Sequence, residues 1–281
     1  MRDVIERTET LQPEAAYALG SLLDVPVPDL TGGEGLPLLW HWIYLLDRPA
    51  QADLGPDGHP VRGALPAPPG PGLRRMWAAG RVRTRGPLRC GAPATKRTSV
   101  RSVTEKRGRS GQLTFVTVGH EIFQGGELVV DEEQDIVYRP AVTQAAPAMP
   151  PAASATAVAV GEDEWEIDVS PTLLFRFSAL TYNAHRIHYD RDYARDVEDY
   201  PGLLTHGPLQ AIAMAEAARA GASGTADNRG HDFAYRLESP LFDHQGMIVR
   251  AVREEAVTTT SVRDTLGRRT ASGTLRPRPP R

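Results

Sequence analysis

The run GPLQAIAMAEAARAG, residues 207 to 221, constrains this chain most. Good helix formers dominate it, Gly207 and Pro208 open it, and Gly221 closes it. Most positions between are alanine or another apolar residue, so the helix has little polar face to give to water. A helix apolar over most of its circumference is buried, and small side chains suit the inside of a strongly curved sheet, where bulky ones would hold the strands away. The run therefore predicts a hot-dog arrangement, one antiparallel sheet wrapped around one helix.

The rest of the chain supplies strands for two such units. RMWAAGRVRTRGPL and TKRTSVRSVTEKRGRSGQLTFVTVGHEIFQGGELVVDEEQDIVYR alternate polar with β-branched or aromatic residues and are broken at RGRSG and QGG, which reads as antiparallel hairpins. The segment from FAYRLESPLF to ASGTLRP alternates in the same way. A helix is expected over Pro13 to Leu23, an aromatic segment LPLLWHWIYLLD follows it, and LLFRFSAL, residues 173 to 180, reads as a strand. Between the halves, PAVTQAAPAMPPAASATAVAVGEDE loses both alternation and charge and reads as a linker. The expectation is an α+β double hot dog: a first unit over residues 1–140, a Pro/Ala-rich linker over 141–164 and a second unit over 165–281.

Charge and cysteine narrow the function classes. A net charge of −3 supplies no general attraction to nucleic acid or to an anionic membrane, so an anionic ligand has to be held by local basic groups. No apolar run approaches the ~20 residues of a membrane span. The N-terminus lacks the pattern of a secretory signal, and the single Cys90 cannot pair within the chain. A cytoplasmic setting is expected.

The chemistry concentrates just before the alanine-rich run. FRFSALTYNAHRIHYDRDYARDVEDYPGLLTHGPLQ holds three of the eight histidines, His185, His188 and His206, beside Asn183 and Asp190. With residues 183 to 188 in a turn, Asn183 and His188 can converge on one water or one substrate carbon. The helix start at Gly207 offers unpaired backbone N–H groups to a carbonyl oxygen gaining negative charge. Base, water-orienting amide and oxyanion donor together suit hydration of a double bond conjugated to a thioester. Plainer readings stand beside this one. A histidine is often structural, Tyr182 and Tyr189 serve packing more readily than proton transfer, and Asp190 suits the cap of the short helix DRDYARDVE. His185 and His188 at i,i+3 have no acidic partner in a zinc-protease pattern, so no metal is expected.

These residues resemble the motif Asp-x-Asn-Pro-x-His-x-Asp of the MaoC-like (R)-specific enoyl-thioester hydratases and dehydratases. YNAHRIHYD and YPGLLTHGPL are closer to the branch of mesaconyl-C4-CoA (3-methylfumaryl-CoA) hydratase and hydroxyacyl-thioester dehydratase type 2. LWHWIY, LGPDGHP, RRMWAAG, EKRGRSGQLTFVTV and EEQDIVYR resemble that branch's N-terminal segments, so the likeness covers nearly the whole chain. The resemblance places His188 on the family's catalytic histidine, Asn183 on its catalytic aspartate and Gly207 on its thioester-oxygen donor. An amide cannot take a proton as a carboxylate does, so Asn183 is expected to hold the water while His188 acts.

Tyr182, His185, Arg186 and His206 are the neighbouring candidates for contacts with the acyl group. Arg186 stands where the broader family has proline, and its fork of donors suits a free carboxylate on the acyl chain, with an ion pair to Asp190 or Glu198 as the plain alternative. Arg74, Arg75 and Arg109 are candidates for the phosphates of CoA. The resemblance implies a first unit, residues 1–140, that has lost its own catalytic motif, a catalytic second unit, residues 165–281, and a hydro-lyase without bound redox cofactor or metal. Its substrate is an acyl-CoA or an acyl chain on a carrier protein, CoA or phosphopantetheine serves only as carrier, and a homodimer is a possible assembly. A degenerate hot-dog module that binds acyl thioesters without turning them over is the reading from another class.

Overall fold

The computed structural model describes residues 4–33, 35–61, 73–108, 111–140, 156–221 and 230–278. Ten strands form one antiparallel sheet: β1 (Ile5–Thr10), β2 (Leu73–Thr84), β3 (Pro93–Gly108), β4 (Gly111–Gln124), β5 (Glu127–Pro140), β6 (Glu164–Ile167), β7 (His231–Leu237), β8 (Met247–Glu254), β9 (Val257–Arg263) and β10 (Arg269–Pro277). Their order is β1-β3-β4-β5-β2-β7-β10-β9-β8-β6. Read outward from the β2–β7 seam, each half repeats one plan: first strand at the far edge, second at the seam, then fifth, fourth and third between. That is a double hot dog whose two sheets meet edge to edge. The seam pairs Ala79 with Arg236 through to Arg83 with Asp232, so neither central strand is left with an open edge there.

Helix α4 (Gly207–Ala220) packs against β8, β9 and β10, as its composition requires. Leu209, Ile212 and Met214 are wholly buried, a gain of roughly 1.5–3 kcal/mol each relative to exposure. Its alanines keep the backbone close to the sheet. The two polar groups it buries are paired: Gln210 accepts from Thr270 Oγ1 at 2.8 Å, and Glu216 Oε1 accepts from Trp40 Nε1 at 2.8 Å. Among its described residues, the first half does not repeat this long alanine-rich helix. Helix α1 (Pro13–Leu23) packs instead on α2 (Pro171–Leu180) and on the 3₁₀ turn Trp40–Ile43, and one apolar core runs through both halves. Trp40, buried from the first half onto Glu216 of the second, joins them.

LLFRFSAL is helical, which corrects the strand expected there. Ser170 Oγ caps the helix by accepting from Leu173 N at 3.2 Å, and Pro171 presets the first turn. Leu173, Leu174 and Phe177 are buried at i, i+1 and i+4, a helical stripe that a short apolar run cannot distinguish from a strand. Of the expected linker, residues 141–155 lie outside the described residues; the remainder runs into β6, which starts at Glu164. No helix among the described residues is long and apolar enough to cross a membrane.

Candidate active site

The motif segment leaves α2 through a tight turn. Asn183 N donates to Ser178 O at 2.8 Å, and Asn183 Oδ1 accepts from His185 N at 3.0 Å, so the side chain closes an Asx turn. Arg186–His188 then form a single 3₁₀ turn, and Asp190 caps α3 (Arg191–Asp196) by accepting from Tyr193 N at 3.0 Å. The segment leading to α4 folds back on this turn: Leu204 N donates to Ile187 O at 3.0 Å, and Leu204 O accepts from His188 Nδ1 at 2.7 Å. Because a carbonyl only accepts, His188 carries its hydrogen on Nδ1, and Nε2 is left with a free lone pair.

Three motif histidines come together as rings. His188 stacks on His206 with centroids 3.7 Å apart, and His185 stands edge-on to His188 at 5.4 Å. His206 Nε2 and Ser178 Oγ share a hydrogen bond of 2.9 Å. Burial pushes the His188 imidazole down to about 4, against the opposing hydrogen bond to Leu204 O, and it pushes His206 well below the usual range, with His188 adding to the effect. Both rings are therefore neutral near pH 7. Two buried polar atoms beside them, Thr205 Oγ1 and His206 Nδ1, have no partner among the described residues. Gly207 follows directly as the first residue of α4, whose opening N–H groups lack intrahelical acceptors. A Cβ at Gly207 would lie 2.2 Å from Leu237 Cδ1, so β7 covers that end of the helix closely.

Other expected residues have different occupations. Arg186 is not free to meet an acyl carboxylate: Nε and Nη2 bind Asp190 Oδ2 at 3.0 and 2.8 Å, Nη1 donates to Pro56 O at 3.1 Å, and the guanidinium lies 4.0 Å over the Tyr193 ring. A residue four positions on in the same tight segment was nearer than any ligand, and it took the charge. Tyr182 is 54% exposed with a left-handed backbone at the end of α2, which gives it to the surface and the turn rather than to the histidine row. Arg74 pairs with Glu198 at 2.8 Å and lies over the Tyr200 ring. Arg75 lies over the Tyr138 ring, and its charge reaches His185. Arg109 lies outside the described residues.

Asp57 and His59 were missed by the sequence reading. Their loop in the first half is closed by the bridge between Leu54 and Pro60 and docks on the motif turn, Asp57 O accepting from Arg186 N at 2.9 Å. The His59 ring lies 3.9 Å from that of His185, and Asp57 Oδ2 is 2.9 Å from His59 Nδ1. Donor atoms of Asp57, His59 and His185 fall within 4.8 Å of one another. The only signal in LGPDGHP was an Asp-x-His spacing inside a turn, and nothing local ties it to a distant histidine segment.

A family model described as hydroxyacyl-thioester dehydratase type 2 matches residues 39–243, a span that runs from the aromatic turn through the dyad loop and the histidine row to the start of α4 and beyond. The chain belongs to this family. The type 2 dehydratase likeness extends to a mesaconyl-C4-CoA hydratase of Chloroflexus aurantiacus, 46% identical over 247 residues that cover 85% of this chain and 84% of that protein. Among solved structures, a MaoC-like dehydratase from Phytophthora capsici is similar with a TM-score of 0.69 at 15% identity, covering 99% of this chain and 96% of that one. A Mycobacterium tuberculosis protein described as having a double hot-dog fold is similar with a TM-score of 0.54 at 14% identity, covering 98% and 96%. These two likenesses bear on the fold, and the β2–β7 seam of the type 2 dehydratase chain is consistent with them.

Proposed function

We propose that this chain is a hydro-lyase that adds or removes water across the C2–C3 double bond of an acyl thioester, with a mesaconyl-C4-type acyl-CoA as its substrate. The carrying observation is His188: buried, neutral, its Nδ1–H fixed on Leu204 O, and its ring stacked on His206, the residue that precedes the α4 start. In the hydration direction, Nε2 takes a proton from water as the water oxygen bonds to C3. The C2–C3 electron pair moves toward C2 and the thioester carbonyl. The N–H groups at Gly207 hold the negative charge on that oxygen, and C2 is then protonated. One lone pair of Asn183 Oδ1 is engaged by His185 N–H, and the remaining lone pair and the amide nitrogen are the groups that orient the water. No redox or metal cofactor enters these steps, and CoA or phosphopantetheine is the carrier, with Arg75 the described candidate for an anionic part of it. The substrate choice is supported by the 46% identical Chloroflexus protein.

The test is a panel of enoyl thioesters, mesaconyl-C4-CoA and crotonyl-CoA among them and matching carrier-protein thioesters beside them, followed by loss of enoyl-thioester absorbance. Preference for mesaconyl-C4-CoA supports the reading. Turnover confined to carrier-protein thioesters would move the activity to acyl-chain synthesis, and binding without turnover would make the chain a degenerate module.

Two further outcomes are expected of the active protein. Since His188 works in its neutral form and burial holds it at about 4, kcat/KM stays level as pH falls through 6 and drops only near 4. An acid limb centred near the ordinary histidine value of ~6.5 would disagree. Asn183→Ala removes both the turn closure and the water-orienting amide, so turnover falls by about 10²-fold, the lower end for a group positioning a reactant. Asn183→Asp keeps the acceptor for His185 N–H and brings a carboxylate near His188. It therefore retains turnover within about tenfold, while the acid limb moves to higher pH because the added negative charge favours the imidazolium. Stopped-assay pH profiles of both variants check this.

A further inference from the structure

Resting on the proposed hydro-lyase reading, we infer that Asp57 and His59 form a second acid–base pair of the active site, doing from the first half of the chain the work of the carboxylate that position 183 lacks. The resemblance to the broader MaoC-like family places Asn183 on an aspartate of that family, and the amide can neither take nor give the reaction proton. One lone pair of its oxygen is engaged by His185 N–H. The missing carboxylate is nevertheless present nearby in space. Asp57 accepts twice from His59, at 2.9 Å from the backbone N–H and at 2.9 Å from Nδ1. Burial by itself would raise the Asp57 carboxyl, but the two hydrogen bonds and the charges of His59 and His185 hold it far below the usual range, so it is ionised. An ionised carboxylate on Nδ1 fixes the imidazole so that Nε2 is the atom free to exchange a proton, the arrangement by which a carboxylate orients a catalytic histidine.

The pair is also held in place rather than merely near. Arg186 N and Nη1 donate to Asp57 O and Pro56 O at 2.9 and 3.1 Å, Gly58 lies flush on Ala184 O, and His59 packs its ring on His185, which stands edge-on to His188. His59 is 21% and Asp57 38% exposed in their side chains, so the pair sits on the solvent side of the histidine row, with His188 at the buried end. The proton accounting closes with two histidines. His188 Nε2 receives the proton of the attacking water as oxygen bonds to C3. His59 enters the step as the imidazolium paired with the Asp57 carboxylate, gives its Nε2 proton to C2 as the C2–C3 electron pair collects there, and is left as the neutral ring with Nδ1–H on Asp57. After product leaves, the proton on His188 passes outward and His59 regains one from solvent, so one water is consumed and no net proton.

Asp57→Asn, His59→Gln, Asn183→Asp and the double variant Asp57→Asn with Asn183→Asp are compared with the wild type on mesaconyl-C4-CoA and, in reverse, on the C2-deuterated hydroxyacyl thioester. The expected result is a loss in kcat of about 10²-fold or more for Asp57→Asn and His59→Gln. The C2 isotope effect should rise in both, because the step they serve becomes the slow one. Turnover should recover at least tenfold when Asn183→Asp returns a carboxylate to the motif. Equal losses with an unchanged isotope effect and no recovery would make the pair a structural clasp and overturn the inference. One equivalent of a divalent ion in the wild type, lost in Asp57→Asn together with chelator-sensitive turnover, would overturn it in favour of a metal centre. If the wild type turns over no enoyl thioester, the hydro-lyase reading fails separately. Long-range ¹H–¹⁵N NMR of the histidine rings then decides about the pair without substrate: a His59 proton on Nδ1 that disappears in Asp57→Asn supports it, and a His59 protonated on Nε2 alone in the wild type overturns it.

Discussion

Replacing His188 by alanine is expected to lower kcat on enoyl thioesters by ~10²- to 10⁴-fold, the range for a lost general acid–base group. Alanine alone cannot separate chemistry from packing, because the ring is 7% exposed and stacks on His206 at 3.7 Å. His188→Asn separates them. The asparagine amide can place an N–H close to where Nδ1–H now meets Leu204 O, while nothing replaces Nε2. The asparagine variant should therefore keep most of the thermal stability that alanine loses and still be as inactive. Thermal melts beside initial rates check this, and substantial turnover by His188→Asn would take the base assignment away from Nε2.

How much of this site was legible beforehand depends on how far apart its parts lie in the chain. The buried alanine-rich helix was readable because a small apolar helix has few places to go, and its first and last glycines fell where α4 begins and ends. The clustering of His185, His188 and His206 was readable because one folded-back segment carries all three. Arg186 shows the limit of local reasoning. Its charge was read as facing either a ligand carboxylate or an ion-pair partner, Asp190 or Glu198, and the pairing that is shortest in sequence, to Asp190, is the one formed. LLFRFSAL shows a second limit, since a short, mostly apolar run fits either period and the decision was made by the Ser170 cap and by what α2 packs against. Asp57 and His59 show the third. Their relation to His185 exists only after β2 and β7 have brought the halves together, and no spacing in the sequence encodes that.

Gly58→Ala tests that long-range joint and should be the most damaging substitution in the first half for activity. Gly58 has φ +88°, a conformation costing an L-residue about 1–3 kcal/mol, and an added Cβ would lie 1.8 Å from the carbonyl oxygen of Ala184. The obstacle is backbone, not the end of a flexible side chain, so the loop has to lift by more than an ångström. Lifting it strips Arg186 N and Nη1 of their acceptors on Asp57 and Pro56 and separates the His59 ring from His185. The turn that places Asn183 and His188 loses its outer support in the same movement. A displacement of about 1 Å at reacting groups costs on the order of 10² in rate, so kcat should fall by that factor or more. The core cluster around Leu209, Ile212 and Phe233 does not pass through the loop, so the far-ultraviolet circular dichroism of the folded sheet should be unchanged. Gly86→Ala is the control in the same half: its Cβ would meet no atom closer than 3.7 Å, and its φ is not in the left-handed region. Near-normal turnover by Gly58→Ala would show that the first half covers the histidine row without positioning it, and the active site would then belong to the second half alone.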